Sequence, residues 1–246
     1  MLLIETESLV LKSYNLAEAD KIVVLLTKDQ GVVRGVAKGA KRLKSKFGSG
    51  LEPFSIVHCT YFQKDAVELV SLQKIELIQS SFKVASNPEF LKKFSYLSDL
   101  LVSILPPHDP SEVLYRMFRA CLKTASSDPA THTAVGVYFE VWLLRLAGYL
   151  PDWTKCDQCR VALDPTSELS LGADFHISCR ACRQPRSVQT ISSGERELTA
   201  LAMKLSPQDF CNSSVDRGDE FNRLSATFRR MISQAIGREI SNHAGS

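Results

Sequence analysis

The sequence lacks the long hydrophobic run that a membrane-spanning helix requires. Its most apolar segments, residues 100–105 and 141–146, are short, and a polar residue interrupts each of them, whereas a helix needs about 20 apolar residues to cross a bilayer. A secretory signal is also lacking, because Glu5 and Glu7 interrupt the first apolar residues and no basic residue precedes them. We therefore expect no membrane association and a location in the cytoplasm.

The sequence also lacks a strong excess of charge of one sign. Its 30 lysines and arginines nearly balance 27 aspartates and glutamates, and the net charge is only +3. This balance excludes a polycation that binds nucleic acid with its whole surface. Any attraction for an anionic partner must therefore be local.

Motifs of enzyme active sites are missing as well. The chain contains no Gly-x4-Gly-Lys-Ser/Thr phosphate loop, no nucleophile elbow and no His-Glu-x-x-His. A zinc deaminase would need a His-x-Glu sequence, and neither His58 nor His176 begins one. The sequence predicts a protein that is not an enzyme and has no small-molecule substrate.

The first 80 residues have the pattern of a small β-domain. Short runs rich in Val, Ile, Leu, Thr and aromatic residues are separated by turn residues, which is typical of strands. Residues 28–31 and 64–65 are predicted turns. The runs predict five strands, at residues 8–14, 21–27, 32–37, 54–63 and 66–78.

The remaining residues, 81–246, have the pattern of a helical domain. Asn87-Pro88 and Asp109-Pro110 each combine a capping residue with a proline suited to the first helical position. A third helix from about Thr131 ends at Gly148, and it is apolar on most sides, which predicts a central position. Two more helices are predicted at residues 193–205 and 218–240. The fold class is therefore α+β, with two domains and a cysteine-rich segment, residues 153–190, inserted in the second.

Four of the seven cysteines form two Cys-x-x-Cys pairs in this inserted segment. The pairs are separated by 19 residues, which fits the spacing of a four-thiolate zinc site. Four sulfur ligands leave no position for water or substrate, so the sequence predicts one structural Zn²⁺ rather than a catalytic one. Four unmetallated thiols are the alternative, and His176 is a further candidate ligand. The predicted ligands are Cys156, Cys159, Cys179 and Cys182.

A basic segment lies between the third and fourth predicted strands. It carries five cations in nine residues and no acidic residue. Such a run is often only a solvated surface, but five-stranded, partly open barrels commonly bind oligonucleotides, and lysine and arginine neutralise phosphates. For the nearby aromatics Phe47 and Tyr61, core packing is favoured over stacking on bases. The candidate nucleic-acid contacts are Arg34, Lys38, Lys41, Arg42, Lys44 and Lys46.

Two sequence features together resemble the RecO family of bacterial recombination mediators. One is Gly-Val-Ala-Lys-Gly-Ala-Lys-Arg-Leu-Lys-Ser at residues 35–45, followed by Leu-Glu-Pro-Phe; the other is Leu-Leu-Arg-Leu-Ala-Gly-Tyr-Leu-Pro at residues 143–151, which leads into the cysteine pairs. The resemblance covers nearly the whole chain. Arg160 and Arg183 follow the cysteine pairs where many relatives have glycine, so the knuckle turns are expected to differ in detail.

The resemblance implies a fold and a function. It implies an N-terminal OB-fold, a C-terminal helical domain with the zinc module, binding to single- and double-stranded DNA, and annealing of complementary strands. It also implies partnership with RecR and the single-stranded-DNA-binding protein during RecA loading, and hence a location at the nucleoid. An RNA-binding OB-fold protein of RNA metabolism or translation is the alternative, because a basic groove alone does not distinguish ribose from deoxyribose.

Overall fold

A computed structural model describes residues 2–63, 68–183 and 189–237 of the chain. The chain divides into two compact units, one ending at His132 and one beginning at Thr133. No helix in the described residues is long and apolar enough to cross a membrane.

The first unit contains a closed barrel of five strands. These are β1 (Leu2–Leu16), β2 (Asp20–Thr27), β3 (Val32–Ala37), β4 (Ile56–Gln63) and β5 (Leu69–Gln79). The order around the barrel is β1-β2-β3-β5-β4, with β4 pairing back on β1, and only the β3–β5 pair is parallel. The predicted five-stranded OB-fold is confirmed.

Strand β1 is much longer than the predicted residues 8–14. Its first half pairs with β4, from Leu2 opposite Gln63, and its second half pairs with β2, up to Leu16 opposite Asp20. A bulge between Val10 and Lys12 lets one strand serve both partners. The other four strands match the predicted runs to within three residues at each end that the structure describes, and the predicted turn at 64–65 lies outside the described residues.

The barrel interior is filled by side chains from all five strands and from the β3–β4 connection. Phe47 and Leu51 of this connection are each 2 % exposed, and Tyr61 of β4 is fully buried. Burying an apolar side chain of this size contributes about 1.5–3 kcal/mol, so Phe47 and Leu51 fix the connection to the barrel. The prediction that Phe47 and Tyr61 pack in the core is confirmed.

Three helices follow the barrel in the first unit: α1 (Phe82–Ala85), α2 (Pro88–Ile104) and α3 (Glu112–Ser127). The Asn87 side chain caps α2, accepting from the backbone N–H groups of residues 89 and 90, as predicted. The predicted start of α3 at Asp109-Pro110 is wrong by two residues. Ser111 is the cap, because its hydroxyl accepts from the Leu114 N–H.

Helices α2 and α3 pack with the barrel. The ring of Phe54 lies 5.8 Å from that of Phe94 on α2, and Phe94 lies 5.8 Å from Phe118 on α3. Lys12 of β1 pairs with Asp99 of α2. The predicted boundary at residue 80 therefore marks the change from strands to helices, whereas the compact units divide at residue 132.

The second unit is built around α4 (His132–Leu146), which is buried along most of its length. The helix ends as predicted, with Gly148 at a positive φ of 76°. Three short strands form a small sheet of order β7-β6-β8, and three helices follow. These elements are β6 (Leu169–Leu171), β7 (Ile177–Ser178), β8 (Gln189–Ile191), α5 (Ser193–Ala202), α6 (Pro207–Asn212) and α7 (Gly218–Ile236).

Helix α4 is held to its neighbours by hydrogen bonds as well as by apolar packing. Trp142 Nε1 donates to the Ala202 carbonyl over 2.9 Å, and the Tyr138 hydroxyl donates to the Leu205 carbonyl over 3.1 Å. The central position predicted for this helix is confirmed. Helix α6 is not among the predicted helices, and the predicted residues 238–240 of the last helix lie outside the described residues.

Candidate nucleic-acid interface and metal centre

The basic loop, residues 38–46, begins directly after β3 and consists of consecutive turns. The Arg42 N–H donates to the Gly39 carbonyl, and the Ser45 N–H donates to the Arg42 carbonyl, over 3.1 and 2.9 Å. Gly39 has a φ of +72°, a conformation that favours glycine. These turns give the loop a defined backbone.

Two backbone donors attach the loop to the β1–β2 turn. The Lys41 N–H donates to the Ala19 carbonyl over 2.9 Å, and the Gly39 N–H donates to the Asp20 carboxylate over 2.7 Å. At the far end of the loop, the buried Phe47 side chain fixes the chain to the barrel interior. The basic loop is therefore held at one end of the barrel.

All six candidate cations have exposed side chains. Within the described part of the chain, no carboxylate pairs with any of them, although ion pairs form elsewhere in the same unit, such as Arg119–Glu7. The Lys46 ammonium lies 5.2 Å from the centroid of the Phe47 ring. The structure thus places uncompensated positive charge on one side of the barrel, where an anion can approach it.

The outer face of the barrel next to this loop was not predicted from the sequence. Tyr14 of β1 is 49 % exposed and lies opposite Ile22 of β2, which in turn lies opposite Val36 of β3. Within one strand, the alternation of apolar residues indicates which residues share a face. Which residues of different strands lie opposite each other depends on the register, which only the tertiary structure sets.

The four predicted ligand cysteines lie together in the second unit. Their sulfur atoms all lie within 4.8 Å of one another, and the Cys159 and Cys179 sulfurs are 3.8 Å apart. A tetrahedral zinc with Zn–S bonds of about 2.3 Å requires sulfur separations of about 3.8 Å. The residues present therefore fit a four-thiolate metal site.

Backbone hydrogen bonds shape the two knuckle turns and join them. In the first turn the Arg160 N–H donates to the Cys156 carbonyl over 2.9 Å, and Arg160 has a φ of +60°, where glycine is favoured. The Asp157 carboxylate accepts from the Ile177 N–H over 2.7 Å, and the Asp157 N–H donates to the Ile177 carbonyl. These two bonds fix the first turn against the strand that leads to Cys179.

Neighbouring groups shift the pKa values of the cluster thiols in opposite directions. Burial of the Cys156 thiol opposes its ionisation, but N–H groups of residues 158, 159 and 179 outweigh burial and lower its pKa to about 6. Hydrogen bonds with Cys159 and Cys179 raise the pKa of Cys182 to about 12. Zn²⁺ binds cysteine as thiolate, so metal binding at this cluster would displace the remaining thiol protons.

The other three cysteines lie away from the cluster. Cys59 and Cys121 are fully buried, and Cys211 is 7 % exposed. Burial raises the pKa of Cys59 to about 12, which keeps this thiol protonated. The His176 imidazole is mostly exposed and lies 3.4 Å from the Asp157 carboxylate, outside the four-sulfur group.

Arg196 attaches the cysteine module, which lies within residues 153–190, to helix α5. Arg196 is 8 % exposed, and its guanidinium donates to the carbonyl oxygens of Trp153 and Ser167, each over 2.8 Å. The carbonyl of Asp164 is a further acceptor. The sequence carried no signal for this role, because the acceptors are backbone atoms about 30–40 residues away.

Comparison with known proteins gives a consistent result along the chain. Residues 1–81 match the family model "Recombination protein O N terminal", and residues 94–243 match "Recombination protein O C terminal". The DNA repair protein RecO of Koribacter versatilis is 26 % identical over 96 % of this chain and 93 % of its own.

Two further relatives carry the same name. The DNA repair protein RecO of Syntrophotalea carbinolica is 28 % identical over 94 % of this chain and 90 % of its own. That of Geobacter metallireducens is 31 % identical over 72 % of this chain and 71 % of its own. With the OB-fold barrel and the four-cysteine cluster, these matches show that the chain belongs to the RecO family of DNA repair proteins.

Proposed function

We propose that this protein is a non-enzymatic mediator of DNA repair and recombination. It binds single- and double-stranded DNA, anneals complementary strands, and helps to load RecA on DNA coated by the single-stranded-DNA-binding protein, with RecR as a partner. The observation that carries the proposal is the basic loop: exposed cations without carboxylate partners, held at one end of a closed OB-fold barrel. Residues 1–80 are the nucleic-acid-binding domain in this proposal, and residues 81–246 the helical domain.

Phosphate neutralisation supplies the mechanism. Lys38, Lys41, Arg42, Lys44 and Lys46 each place a positive charge beside the backbone of the nucleic acid and release condensed counterions. Two strands whose phosphates are partly neutralised repel each other less, so the protein raises their effective concentration. Base pairing then provides the sequence specificity, because phosphate contacts carry none.

RNA binding is the competing proposal for the same loop. The loop cations do not distinguish deoxyribose from ribose, because the phosphate groups of DNA and RNA are the same. The printed names of the relatives, DNA repair proteins, support DNA. Affinities for DNA and RNA strands of one sequence would decide, and a clear preference for RNA would favour the alternative.

Zinc is the metal that best suits the cysteine cluster. Cys156, Cys159, Cys179 and Cys182 would hold one Zn²⁺ as thiolates, and the ion would cross-link the two knuckle turns. A shell closed by four sulfurs offers no site for substrate, so the proposed role is structural. This agrees with a mediator without catalytic activity. The proposed location, in the cytoplasm at the nucleoid, follows from the proposed function.

Strand annealing in the presence of the single-stranded-DNA-binding protein tests the proposed function. The wild-type protein should accelerate annealing of complementary oligonucleotides that are coated by the single-stranded-DNA-binding protein. Annealing with Lys41→Ala/Arg42→Ala should be slower. Lys83→Ala/Lys92→Ala is the matched control, because it removes the same charge from exposed positions on α1 and α2 of the same unit. If wild type gives no acceleration, or both double variants are equally slow, the proposal is wrong.

A further inference from the structure

The outer face of the barrel carries a row of aligned side chains beside the basic loop. Tyr14 of β1, Ile22 of β2, Val36 of β3 and Ser71 of β5 are direct cross-strand neighbours. Such neighbours point to the same side of a sheet. Their sequence neighbours Val23 and Ala37 fill the barrel core, so this row faces outward.

The face is covered at one end and open at the other. At the covered end, Leu9 and Leu26 are opposite each other and fully buried. At the open end, Tyr14 is 49 % exposed, and Ile22 and Val36 beside it are only half-buried. An aromatic ring on an apolar floor is therefore accessible from solvent.

Arg34 lies on the same face, in the adjacent row between Val24 and Leu69. Burial raises the pKa of the Tyr14 hydroxyl, and the positive charge of the Arg34 guanidinium opposes that rise. Lys12, in the same row, is occupied by Asp99. Among the residues described, no carboxylate pairs with Arg34, so its charge remains available beside the ring.

The open end of this face adjoins the basic loop. The loop is hydrogen-bonded to the turn after β1 through Lys41 and Ala19, and Tyr14 lies close to that turn, two residues before the end of β1. A strand whose phosphates contact the loop can therefore extend over the ring.

We propose that Tyr14 is a base-stacking residue that makes this barrel face prefer single-stranded over double-stranded DNA. The inference rests on the proposed function and deepens it. An unpaired base can unstack from its neighbours and stack on the exposed side of the Tyr14 ring, while Arg34 contacts the adjacent phosphate. The bases of a duplex are stacked on each other, so a duplex contacts only the cations.

Three probes of equal length separate stacking from charge. They are an oligothymidylate of about 30 nucleotides, an abasic deoxyribose-phosphate strand with the same number of phosphates, and a duplex. Tyr14→Leu keeps apolar bulk on the strand but removes the ring, and it should weaken oligothymidylate binding by about 5- to 150-fold. Binding of the abasic strand and of the duplex should change by less than about twofold.

Two variants act as controls. Tyr14→Phe keeps the ring and should retain wild-type affinity for all three probes. Tyr149→Ala removes a tyrosine that is similarly exposed, at 52 %, but lies in the other unit, and it should change none of the affinities. The salt dependence of oligothymidylate binding should be the same in Tyr14→Leu as in wild type, because stacking releases no counterions.

The outcomes distinguish this inference from the proposed function. Unchanged oligothymidylate binding by Tyr14→Leu would refute stacking, and equal weakening for all three probes would show that the ring only supports the fold. If Tyr14→Leu keeps its affinity for DNA but no longer binds a partner protein, the face binds protein instead. The proposed function fails separately, if the wild-type protein does not accelerate annealing in the presence of the single-stranded-DNA-binding protein.

Discussion

The salt dependence of DNA binding gives a quantitative test of the basic loop. The perturbation is Lys41→Ala/Arg42→Ala, which removes two of five exposed loop cations. Each cation that contacts a phosphate of single-stranded DNA contributes about −0.7 to the slope of log affinity against log salt concentration. Five contacts predict a slope of about −3.5, which is a loss of about a hundredfold in affinity between about 50 and 200 mM salt.

In the double variant the slope should be smaller in magnitude by about 1.4. The reason is structural: the exposed cations have no carboxylate partner among the described residues, so each is free to exchange a counterion for a phosphate. Binding should weaken equally for all sequences, because phosphate contacts carry no base information. Removing solvated loop residues should change the free energy of unfolding by no more than about 0.5 kcal/mol.

Fluorescence anisotropy at four or more salt concentrations measures both slopes, and a thermal unfolding curve checks the fold. Lys83→Ala/Lys92→Ala should keep the wild-type slope although it carries the same net charge as the loop variant. If the loop variant also keeps the wild-type slope, the loop is only a solvated surface and DNA binds elsewhere. If both variants lose the same slope, the effect depends on overall charge and the loop has no special role.

Further predictions concern the metal, the module and the energetics of annealing. Cys156→Ser should lose the zinc and destabilise the second unit while the barrel stays folded, since binding in such sites contributes on the order of 10 kcal/mol; metal analysis and thermal unfolding measure this, with Cys211→Ala as the zinc-retaining control, and wild-type protein without zinc would contradict it. Arg196→Ala should lower the free energy of unfolding of the second unit by about 3 kcal/mol, because charge-assisted hydrogen bonds to buried carbonyls are lost; chemical denaturation measures this, and an unchanged midpoint would show that the module is held in another way. Cys59 should remain unreactive toward a thiol reagent at pH 8, since its pKa of about 12 keeps the thiol protonated below that value, and it should react only on unfolding. Annealing by the purified protein should proceed without nucleotide, as the chain has no phosphate loop, and a strict requirement for ATP would refute the mechanism.

Local signals in the sequence were sufficient for several features. Asn87-Pro88 determines the start of α2, because the cap and its N–H donors lie within three residues of each other. Gly148 likewise determines the end of α4, because glycine readily adopts the positive φ at which this helix ends. The two Cys-x-x-Cys turns each bring two sulfurs together through their own backbone. In each case the interacting atoms are close in sequence.

Features that depend on distant partners were decided by the tertiary structure. The first half of β1 is a strand because it pairs with the distant β4, from Leu2 opposite Gln63 to Leu9 opposite Ile56, and its glutamates obscure the strand pattern. Helix α2 packs on the barrel through Phe94 and Asp99, which contact Phe54 and Lys12, and Arg119 of α3 pairs with Glu7 of β1. The sequence pattern shows that these helices are amphipathic, but it does not show which surface each of them covers.

The site shows the same division. The sequence identified the loop cations and the four cysteines by type and spacing. It did not identify Tyr14, because only the register of β1 on β2 and of β2 on β3 places this ring beside Arg34 and the loop. Nor did it identify Arg196, whose partners are carbonyls that any sequence possesses. The sequence determined which chemical groups the protein has, and the long-range pairing of its backbone determined which of them lie together.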